Sequence, residues 1–176
     1  MAADELVVLL DDAGSPIGTA PKATVHTRDT PLHLAFSCHV RDGHGRILVT
    51  RRALTKLTWP GVWTNSFCGH PGPDEDLEEA VRRRARTELG LELAELELVL
   101  PDFRYRAVDA AGIVEYEVCP VFTAIADGPV VGDPDEVVDW EWADAGPLAE
   151  AVTSAPFAFS PWLALQLPAL AAVGRA

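Results

Sequence analysis

Residues 69–91, GHPGPDEDLEEAVRRRARTELGL, contain the clearest change of pattern in the chain. An irregular segment rich in proline and glycine ends here, and from Leu77 onward apolar residues recur at helical spacing. Three acids at 74–76 cap and charge the start of this run, and Gly90 ends it. The stretch therefore predicts a long loop followed by one central helix.

Short apolar and alternating runs on both sides of this helix predict β-strands. The order of the elements predicts an α+β (mixed α/β) fold, with antiparallel hairpins and two helices after the last strand. We expect a single domain over residues 1–176. The predicted strands cover residues 5–10, 33–40, 46–52, 66–70, 93–100, 103–108, 114–125 and 137–142.

The charge balance limits the partners that this chain can bind. With 14 basic and 27 acidic residues, the formal net charge is −13, which argues against a general binder of nucleic acid or anionic membranes. No apolar run reaches the length of about 18 residues that a spanning helix needs, and the first ten residues, MAADELVVLL, carry acids where a signal peptide is basic. We therefore expect a cytoplasmic protein.

The three cysteines, Cys38, Cys68 and Cys119, are an odd number without a CxxC motif. This pattern predicts neither a disulfide framework nor a zinc knuckle. We expect Cys119 to be a small buried apolar side chain and Cys38, with its neighbour His39, to serve packing. His44 falls in a hairpin turn and is given no role.

Alternation along a strand brings polar side chains together at two places. Glu115 and Glu117 point to one face of their strand, and Cys68 and His70 point to one face of the short strand before the helix. A solvated strand face and a purely structural pair are the alternative interpretations. With His26 and His33, these side chains include a set of three histidines and two carboxylates suited to Mn²⁺, Mg²⁺, Fe²⁺ or Zn²⁺, although composition does not show that they meet.

Cationic side chains suggest a site for an anion. Arg52 and Lys56, folded beside Lys22, would form a cradle for a diphosphate. Arg84 and Glu88 are an i,i+4 pair on the predicted helix, which could also be a plain surface ion pair. Trp162 begins a predicted helix, where an aromatic side chain either packs in the core or stabilises a cation.

Reading from Gly69, the spacing Gly69, Glu75, Arg83, Glu88, Gly90, Leu91 resembles the Nudix box. The match is degenerate, because Arg84 and Thr87 stand where the hydrolase box has acids that bind the hydrolytic metal. The resemblance therefore implies a Nudix-like fold and puts ordinary pyrophosphohydrolase activity in doubt.

Six separated segments together resemble type 1 isopentenyl-diphosphate isomerases, from about residue 5 to residue 165. They occur in the family's order, which no generic Nudix protein requires. The segments are LHLAFS (32–37), LVTRRAL (48–54), WPGVWTNSFCGHP (59–71), PDFRYRA (101–107), GIVEYEVCPVF (112–122) and FSPW (159–162).

The resemblance implies roles for individual residues. Cys68 and Glu117 would be the catalytic acid–base pair, Tyr105 would hydrogen-bond the glutamate, and Trp162 would face the cationic carbon. One divalent ion (Mn²⁺, Mg²⁺ or Zn²⁺) and a second, Mg²⁺ ion bound with the substrate diphosphate, are implied. The first ion's ligands would be His26, His33, His70, Glu115 and Glu117; the second would be associated with Glu88 and the backbone near Cys68; the diphosphate would contact Lys22, Arg52, Lys56 and Arg84.

The activity implied is isomerisation of isopentenyl diphosphate to dimethylallyl diphosphate. A Nudix-type diphosphate hydrolase is the main alternative, and a non-catalytic module that binds metal or diphosphate is a third. The sequence leaves open the native metal and which of Cys68 and Glu117 delivers the first proton. We expect a monomer or a weak dimer with a small-molecule substrate.

Overall fold

The computed structural model describes residues 5–175, so residues 1–4 and 176 of the predicted domain lie outside the described part. It contains twelve strands and four helices, which confirms the predicted mixed α/β class. The strands are β1 Leu6–Leu10, β2 Pro16–Pro21, β3 His33–Leu34, β4 Phe36–Arg41, β5 Ile47–Arg52, β6 Trp63–Thr64, β7 Phe67–Gly69, β8 Glu92–Leu100, β9 Arg104–Val108, β10 Val114–Val118, β11 Val121–Asp127 and β12 Val137–Ala143. The helices are α1 Lys22–Val25, α2 Leu77–Leu89, α3 Ala145–Ser154 and α4 Pro161–Ala172.

The central helix α2 lies where the sequence predicts it. The Asp76 side chain accepts a hydrogen bond from the Glu79 backbone N–H at the N-terminus. At the C-terminus Gly90 adopts the left-handed conformation, with φ of 61°, and its N–H bonds the carbonyls of Ala85 and Arg86. The helix buries its apolar face on β7 and the sheet behind it.

The strands form two sheets. A five-stranded sheet has the order β2-β1-β3-β10-β9, and a seven-stranded sheet has the order β12-β5-β4-β11-β8 along its main path. Strands β4 and β5 pair only at Arg41 and Ile47 and then diverge. Strand β6 pairs with β5, and β7 pairs with β4, so the short β6–β7 hairpin fills the gap between them.

Two neighbouring segments pass from one sheet to the other side by side. Strand β3 continues through Ala35 into β4, and β10 continues through Cys119 and Pro120 into β11. The Ala35 N–H donates to the Val118 carbonyl at 2.9 Å, so the two crossings are bonded to each other. The predictions of unbroken strands over 33–40 and 114–125 are therefore wrong, because both segments change sheets and Pro120 has no N–H for a ladder.

The apolar core lies against both faces of the seven-stranded sheet. One cluster joins α2 to β4, β7, β8 and β11 around Phe36, Phe67 and Phe122. A second cluster joins α3 and α4 to β5. The contact of α2 with β7 is close, since a Cβ added at Gly69 would lie 3.1 Å from Cγ of Arg84 on α2, and 2.6 Å from the Phe36 ring on β4. This close packing fixes the position of Cys68 in the middle of β7.

The C-terminal part contains the two helices that the sequence predicts, α3 and α4, with a 3₁₀ turn at Pro156–Ala158 between them. The Ser160 side chain caps α4 by accepting from the Leu163 N–H. Through residues 5–175, each helix is too short or too polar to cross a membrane.

Candidate active site

Three of the predicted site residues lie in one row of the five-stranded sheet. Glu117 on β10 is paired with His33 on the parallel strand β3 and with Tyr105 on the antiparallel strand β9. Residues opposite each other in a sheet project to the same face. Strand register therefore places an imidazole and a phenol on either side of the Glu117 carboxylate.

His26 and His70 complete a compact group around this row. The three imidazole rings have centroids 5.1 to 5.7 Å apart. His33 Nε2 lies 3.4 Å and His70 Nε2 lies 3.1 Å from Glu117 Oε1. One potential ligand atom from each of His26, His33, His70 and Glu117 lies within 4.8 Å of the others. The structure therefore brings together four of the five predicted ligands of the first ion.

Glu115 lies at the edge of this group. Its Oε2 is 2.9 Å from His26 Nε2, and its Oε1 accepts a hydrogen bond of 2.6 Å from the Thr58 hydroxyl. We refer to the three histidines with Glu115 and Glu117 as the histidine cluster. Thr58 was not recognised in the sequence, because it lies in an irregular loop and only folding brings it to the carboxylate.

Two buried nitrogen atoms of the histidine cluster suit a metal ion. His33 Nδ1 lies 2.9 Å from the Pro31 carbonyl, an acceptor only, so Nδ1 carries the proton and Nε2 presents its lone pair to the cluster. The Nε2 atoms of His26 and His33 are buried, and although each lies within 3.4 Å of a carboxylate oxygen of the cluster, neither has the geometry of a hydrogen bond with any described residue. Neutral imidazole nitrogens and carboxylate oxygens are ligands of Mn²⁺, Fe²⁺ and Zn²⁺. The donor set therefore fits a divalent ion.

The Glu117 carboxylate is strongly influenced by its neighbours. Burial alone would raise its pKa, but the contacts with His33 and His70 outweigh burial and hold the pKa well below its ordinary value. Tyr105 donates a hydrogen bond of 2.9 Å to Glu117 Oε2. Burial and the charges of Glu117 and Glu115 raise the pKa of Tyr105 well above its usual range, so this phenol remains a donor.

Cys68 faces the same cavity from β7. Its thiol lies 3.3 Å from the Asn65 side-chain oxygen, to which it donates, and 3.2 Å from the Ser37 hydroxyl. Burial raises the pKa of Cys68 to about 12, the Glu117 charge adds to this effect, and the contacts with Ser37 and Asn65 reduce it. Cys68 is therefore a neutral thiol that lines the cavity.

A cavity of about 470 Å³ connects the predicted site residues. All of them line it except His33, which lies directly behind Glu117 and is completely buried. The cavity is therefore lined by a thiol, carboxylates, imidazoles, an indole and four cations. A pocket of this size accommodates a small organic molecule.

The four cations, Lys22, Arg52, Lys56 and Arg84, are called the cationic group below. Lys22 pairs with Glu5 at 2.6 Å. Lys56 and Arg84 both pair with one carboxylate, Glu136, and the Arg84 contact is 2.7 Å. The charges of these two cations overcome the opposing effect of burial and lower the pKa of Glu136. Within the described residues, these three cations already have anionic partners.

Arg84 is buried rather than exposed. Its Nε lies 2.9 Å from Glu88 on the same helix and 3.3 Å from the Cys68 carbonyl, to which it donates. The side chains of Arg84 and Glu88 are both about nine-tenths buried, which is unusual for an i,i+4 surface pair. Burial raises the pKa of Glu88, and Glu136 contributes to this shift. These groups lie beside the backbone of Cys68, where the second ion is expected.

Trp162 lies between Arg52 of the cationic group and the ring of Tyr105. The Arg52 guanidinium lies 5.4 Å from the Trp162 ring centroid, and the Tyr105 ring lies 5.7 Å away. The indole N–H donates a hydrogen bond of 3.0 Å to the Asn65 side-chain oxygen. Trp162 is almost fully buried and lines the cavity, so its two predicted roles, packing and cation stabilisation, are compatible.

Glu136 and Asn65 line or support this site but were not recognised in the sequence. Glu136 belongs to an acid-rich C-terminal third, where a single functional carboxylate has no distinguishing pattern. Asn65 is part of the segment WTNS, which carried the resemblance, yet only the structure shows its contacts with Cys68 and Trp162.

Comparison with known proteins agrees with this arrangement. A family model described as NUDIX domain matches residues 31–163. The fold is similar to the crystal structure of DR0079 from Deinococcus radiodurans, with a TM-score of 0.72, 19% identity, and coverage of 93% of this chain and 98% of that one. It is also similar to a MutT protein from Methanosarcina mazei, with a TM-score of 0.64, 16% identity, and coverage of 83% and 97%. These likenesses show the fold.

Curated relatives give a narrower family. A protein of Clavibacter michiganensis is 72% identical over 94% of this chain and 86% of its own length. Proteins of Agromyces mediolanus and Corynebacterium glutamicum are 65% and 60% identical, covering 97% and 94% of this chain and 82% and 90% of their own lengths. All three are named isopentenyl-diphosphate Delta-isomerase. The chain therefore belongs to the isopentenyl-diphosphate Delta-isomerase family of NUDIX-domain proteins.

Proposed function

We propose that this protein isomerises isopentenyl diphosphate to dimethylallyl diphosphate. The observation that carries the proposal is that a thiol, Cys68, and a carboxylate, Glu117, line one cavity together with four cations and an indole. This combination suits a diphosphate whose hydrocarbon part exchanges protons. We further propose that the enzyme acts in the cytoplasm as a monomer or a weak dimer, without nucleic acid or membrane as a partner.

The reaction requires one acid and one base. A proton is added at C4 of the substrate, the double bond moves from C3–C4 to C2–C3, and a proton leaves C2. One proton is gained and one is lost, and no bond to oxygen or phosphorus in the diphosphate is formed or broken. Cys68 and Glu117 can each give or take one proton, and the group that donates in one direction accepts in the reverse direction. Tyr105 holds the Glu117 carboxylate in place through its hydrogen bond.

The histidine cluster would hold one divalent ion, Mn²⁺, Mg²⁺ or Zn²⁺, through His26, His33, His70, Glu115 and Glu117. When bound, the ion would supply positive charge that makes the protonated Glu117 carboxyl group a stronger acid. The Pro31 carbonyl fixes the His33 tautomer for this role. Glu88 and the backbone near Cys68 would be associated with a Mg²⁺ ion that arrives with the diphosphate.

The cationic group would bind the diphosphate. Arg52 and Arg84 offer forked donors, and Lys22 and Lys56 offer point charges. Lys56 and Arg84 would exchange Glu136 for phosphate oxygens. The diphosphate is thereby held at a fixed position relative to Cys68, because Arg84 also donates to the Cys68 carbonyl.

The walls of the cavity suit a carbocation. Trp162 presents an indole, and the face of an indole attracts a cation more strongly than it attracts a neutral alkene. The interaction therefore stabilises the transition state more than the substrate, which raises the rate. Burial of Trp162 and Tyr105 also keeps water away from the cation.

The experiment is incubation with isopentenyl diphosphate and Mg²⁺ in D₂O, followed by mass spectrometry and NMR of the product. We expect dimethylallyl diphosphate with deuterium at C4, and at C2 after reversal. Release of phosphate from substrate or nucleotides instead would support the hydrolase, and binding without turnover would support a non-catalytic module. Either result would reject the isomerase proposal.

A further inference from the structure

A chain of buried polar side chains leads from β4 and α4 to the sulfur of Cys68. His39 Nε2 lies 2.8 Å from Gln166 Oε1, and Gln166 Nε2 donates a hydrogen bond of 2.9 Å to the Ser37 hydroxyl. The Ser37 hydroxyl lies 3.2 Å from Cys68 Sγ. Ser37 and Gln166 are completely buried and His39 is 2% exposed, so solvent does not satisfy these groups.

The direction of this chain follows from hydrogen-bonding capacity. Burial lowers the pKa of His39 to about 4, Arg41 adds to this effect and Gln166 opposes it, so the ring is neutral with one N–H. If Nε2 carries the proton, it donates to Gln166 Oε1 and leaves only the Nδ1 lone pair without a partner. The other tautomer would bury an unpaired N–H donor, which is more costly. Gln166 must then present its NH₂ group to Ser37.

The Ser37 hydroxyl accepts a hydrogen bond from Gln166, so its own proton is available to another acceptor. Two sulfur atoms are available, Cys68 at 3.2 Å and Cys119 at 3.3 Å. The Cys68 thiol has an acceptor of its own, the Asn65 side-chain oxygen, whose amide donates to the carbonyls of Cys38 and Phe67 and is thereby fixed. The Cys119 thiol can donate to the second lone pair of the Ser37 hydroxyl.

We propose that His39, Gln166 and Ser37 form a hydrogen-bond chain of fixed direction, in which the Ser37 hydroxyl donates to Cys68 Sγ and positions that sulfur for proton exchange with the substrate. This inference rests on the proposed function of Cys68. Ser37, Gln166 and His39 are positioning residues, because they act through Cys68 and line no part of the cavity.

The chain has consequences for catalysis that differ from those of substrate binding. The sulfur sits between one donor, Ser37, and one acceptor, Asn65, so both its position and the direction of its S–H bond are restricted. A misplaced sulfur slows proton transfer without changing the contacts of the diphosphate. Loss of Ser37 should therefore lower kcat and leave KM nearly unchanged.

The test compares Ser37→Ala, Gln166→Met and the double variant. We expect Ser37→Ala to lower kcat by about fivefold to tenfold. Gln166→Met should lower kcat less and should have no further effect on kcat when Ser37 is already alanine, because both act through one bond. Ser37→Thr keeps the hydroxyl and should restore much of kcat. Cys38→Ala, on the neighbouring residue of β4 whose side chain packs in the apolar core, is the matched control with unchanged kcat.

A second measurement does not depend on activity. The infrared S–H stretching band of Cys68, identified by subtraction of the Cys68→Ala spectrum, should shift in Ser37→Ala and remain in place in Cys38→Ala. An unmoved band, an unchanged kcat, or an equal loss of kcat in Cys119→Ala would overturn the proposal. If the wild-type protein lacks isomerase activity, the proposed function fails, and the band alone decides whether Ser37 donates to Cys68.

Discussion

The histidine cluster and the cationic group line the same cavity but are held in different ways. Backbone pairing fixes Glu117 beside His33, and three buried imidazole nitrogens of the cluster have no hydrogen-bond partner among the described residues. Three of the four cations, in contrast, are long side chains that are already paired with Glu5 or Glu136.

This difference affects the energetics of binding. A preformed group of ligands binds an ion without ordering new side chains, so most of the interaction energy contributes to affinity. A diphosphate must replace existing ion pairs, so each cation contributes only the difference between two partners. We therefore expect large losses from substitutions in the histidine cluster and small, even favourable, effects from removing a counterion of the cationic group.

The largest effect is expected at Cys68, which connects the two groups. Cys68→Ala removes one proton-exchanging group and should lower kcat by about 10²- to 10⁴-fold. Its backbone carbonyl, which accepts a hydrogen bond from Arg84, is retained. The affinity for inorganic pyrophosphate should therefore differ from that of the wild type by less than about twofold. Stopped assays of isomerisation and calorimetric titration measure the two quantities. Turnover close to that of the wild type would reject the role of Cys68.

A large effect is also expected on metal affinity. His26→Ala removes one nitrogen from the preformed cluster and should weaken binding of Mn²⁺ or Zn²⁺ by at least about 10-fold, as even indirect changes at metal sites do. His44→Ala, at an exposed turn between β4 and β5, is the matched control. Equilibrium dialysis with metal analysis gives both affinities. Equal affinities in the two variants would contradict the assignment of His26.

A moderate effect is expected at the indole beside Arg52. Trp162→Phe keeps most of the packing but weakens the attraction for a cation and removes the hydrogen bond to Asn65. We expect kcat to fall by about fivefold with a smaller change in KM, since the carbocation exists only after binding. Steady-state kinetics separates the two constants. A change confined to KM would show that Trp162 acts in binding alone.

The smallest effect, of opposite sign, is expected at Glu136. Glu136→Gln releases Lys56 and Arg84 for an anion and should strengthen binding of inorganic pyrophosphate by up to about fivefold. Asp135→Asn removes the same charge next to it, also in the cavity wall, and controls for net charge. Calorimetric titration measures the pyrophosphate affinity of both variants. Weaker binding in Glu136→Gln would show that this carboxylate assists the ligand instead of competing with it.

Much of the fold could be predicted from local pattern. Helix α2 has its cap at Asp76 and its end at Gly90 because both signals are local in sequence. The breaks at Ala35 and Pro120 were missed, since apolar, strand-forming residues continue through each break while the chain changes its partner strands. Pro120 was a usable signal, because proline cannot donate to a ladder.

The residues of the candidate site also fall into two groups, those that the sequence predicts and those that only the structure identifies. Residues with reactive side chains in recognisable segments, such as Cys68 and Glu117, were predicted, and the structure places them at one cavity. Glu136 and Ser37 were not predicted, because ordinary acids and serines gain a role only from partners far away in sequence. The partner of Ser37, Gln166, lies 129 residues away. Only packing of α4 on β4 brings the two together.

The two adjacent crossings between the sheets have a mechanical consequence. His33 and Glu117 belong to the five-stranded sheet, whereas Cys68 and the adjoining His70 extend from the seven-stranded sheet. An ion bound by His33, Glu117 and His70 would therefore cross-link the two sheets. Metal binding would restrict the movement of one sheet relative to the other. Because Cys68 and Glu117 belong to different sheets, the same restriction would set the distance between their side chains.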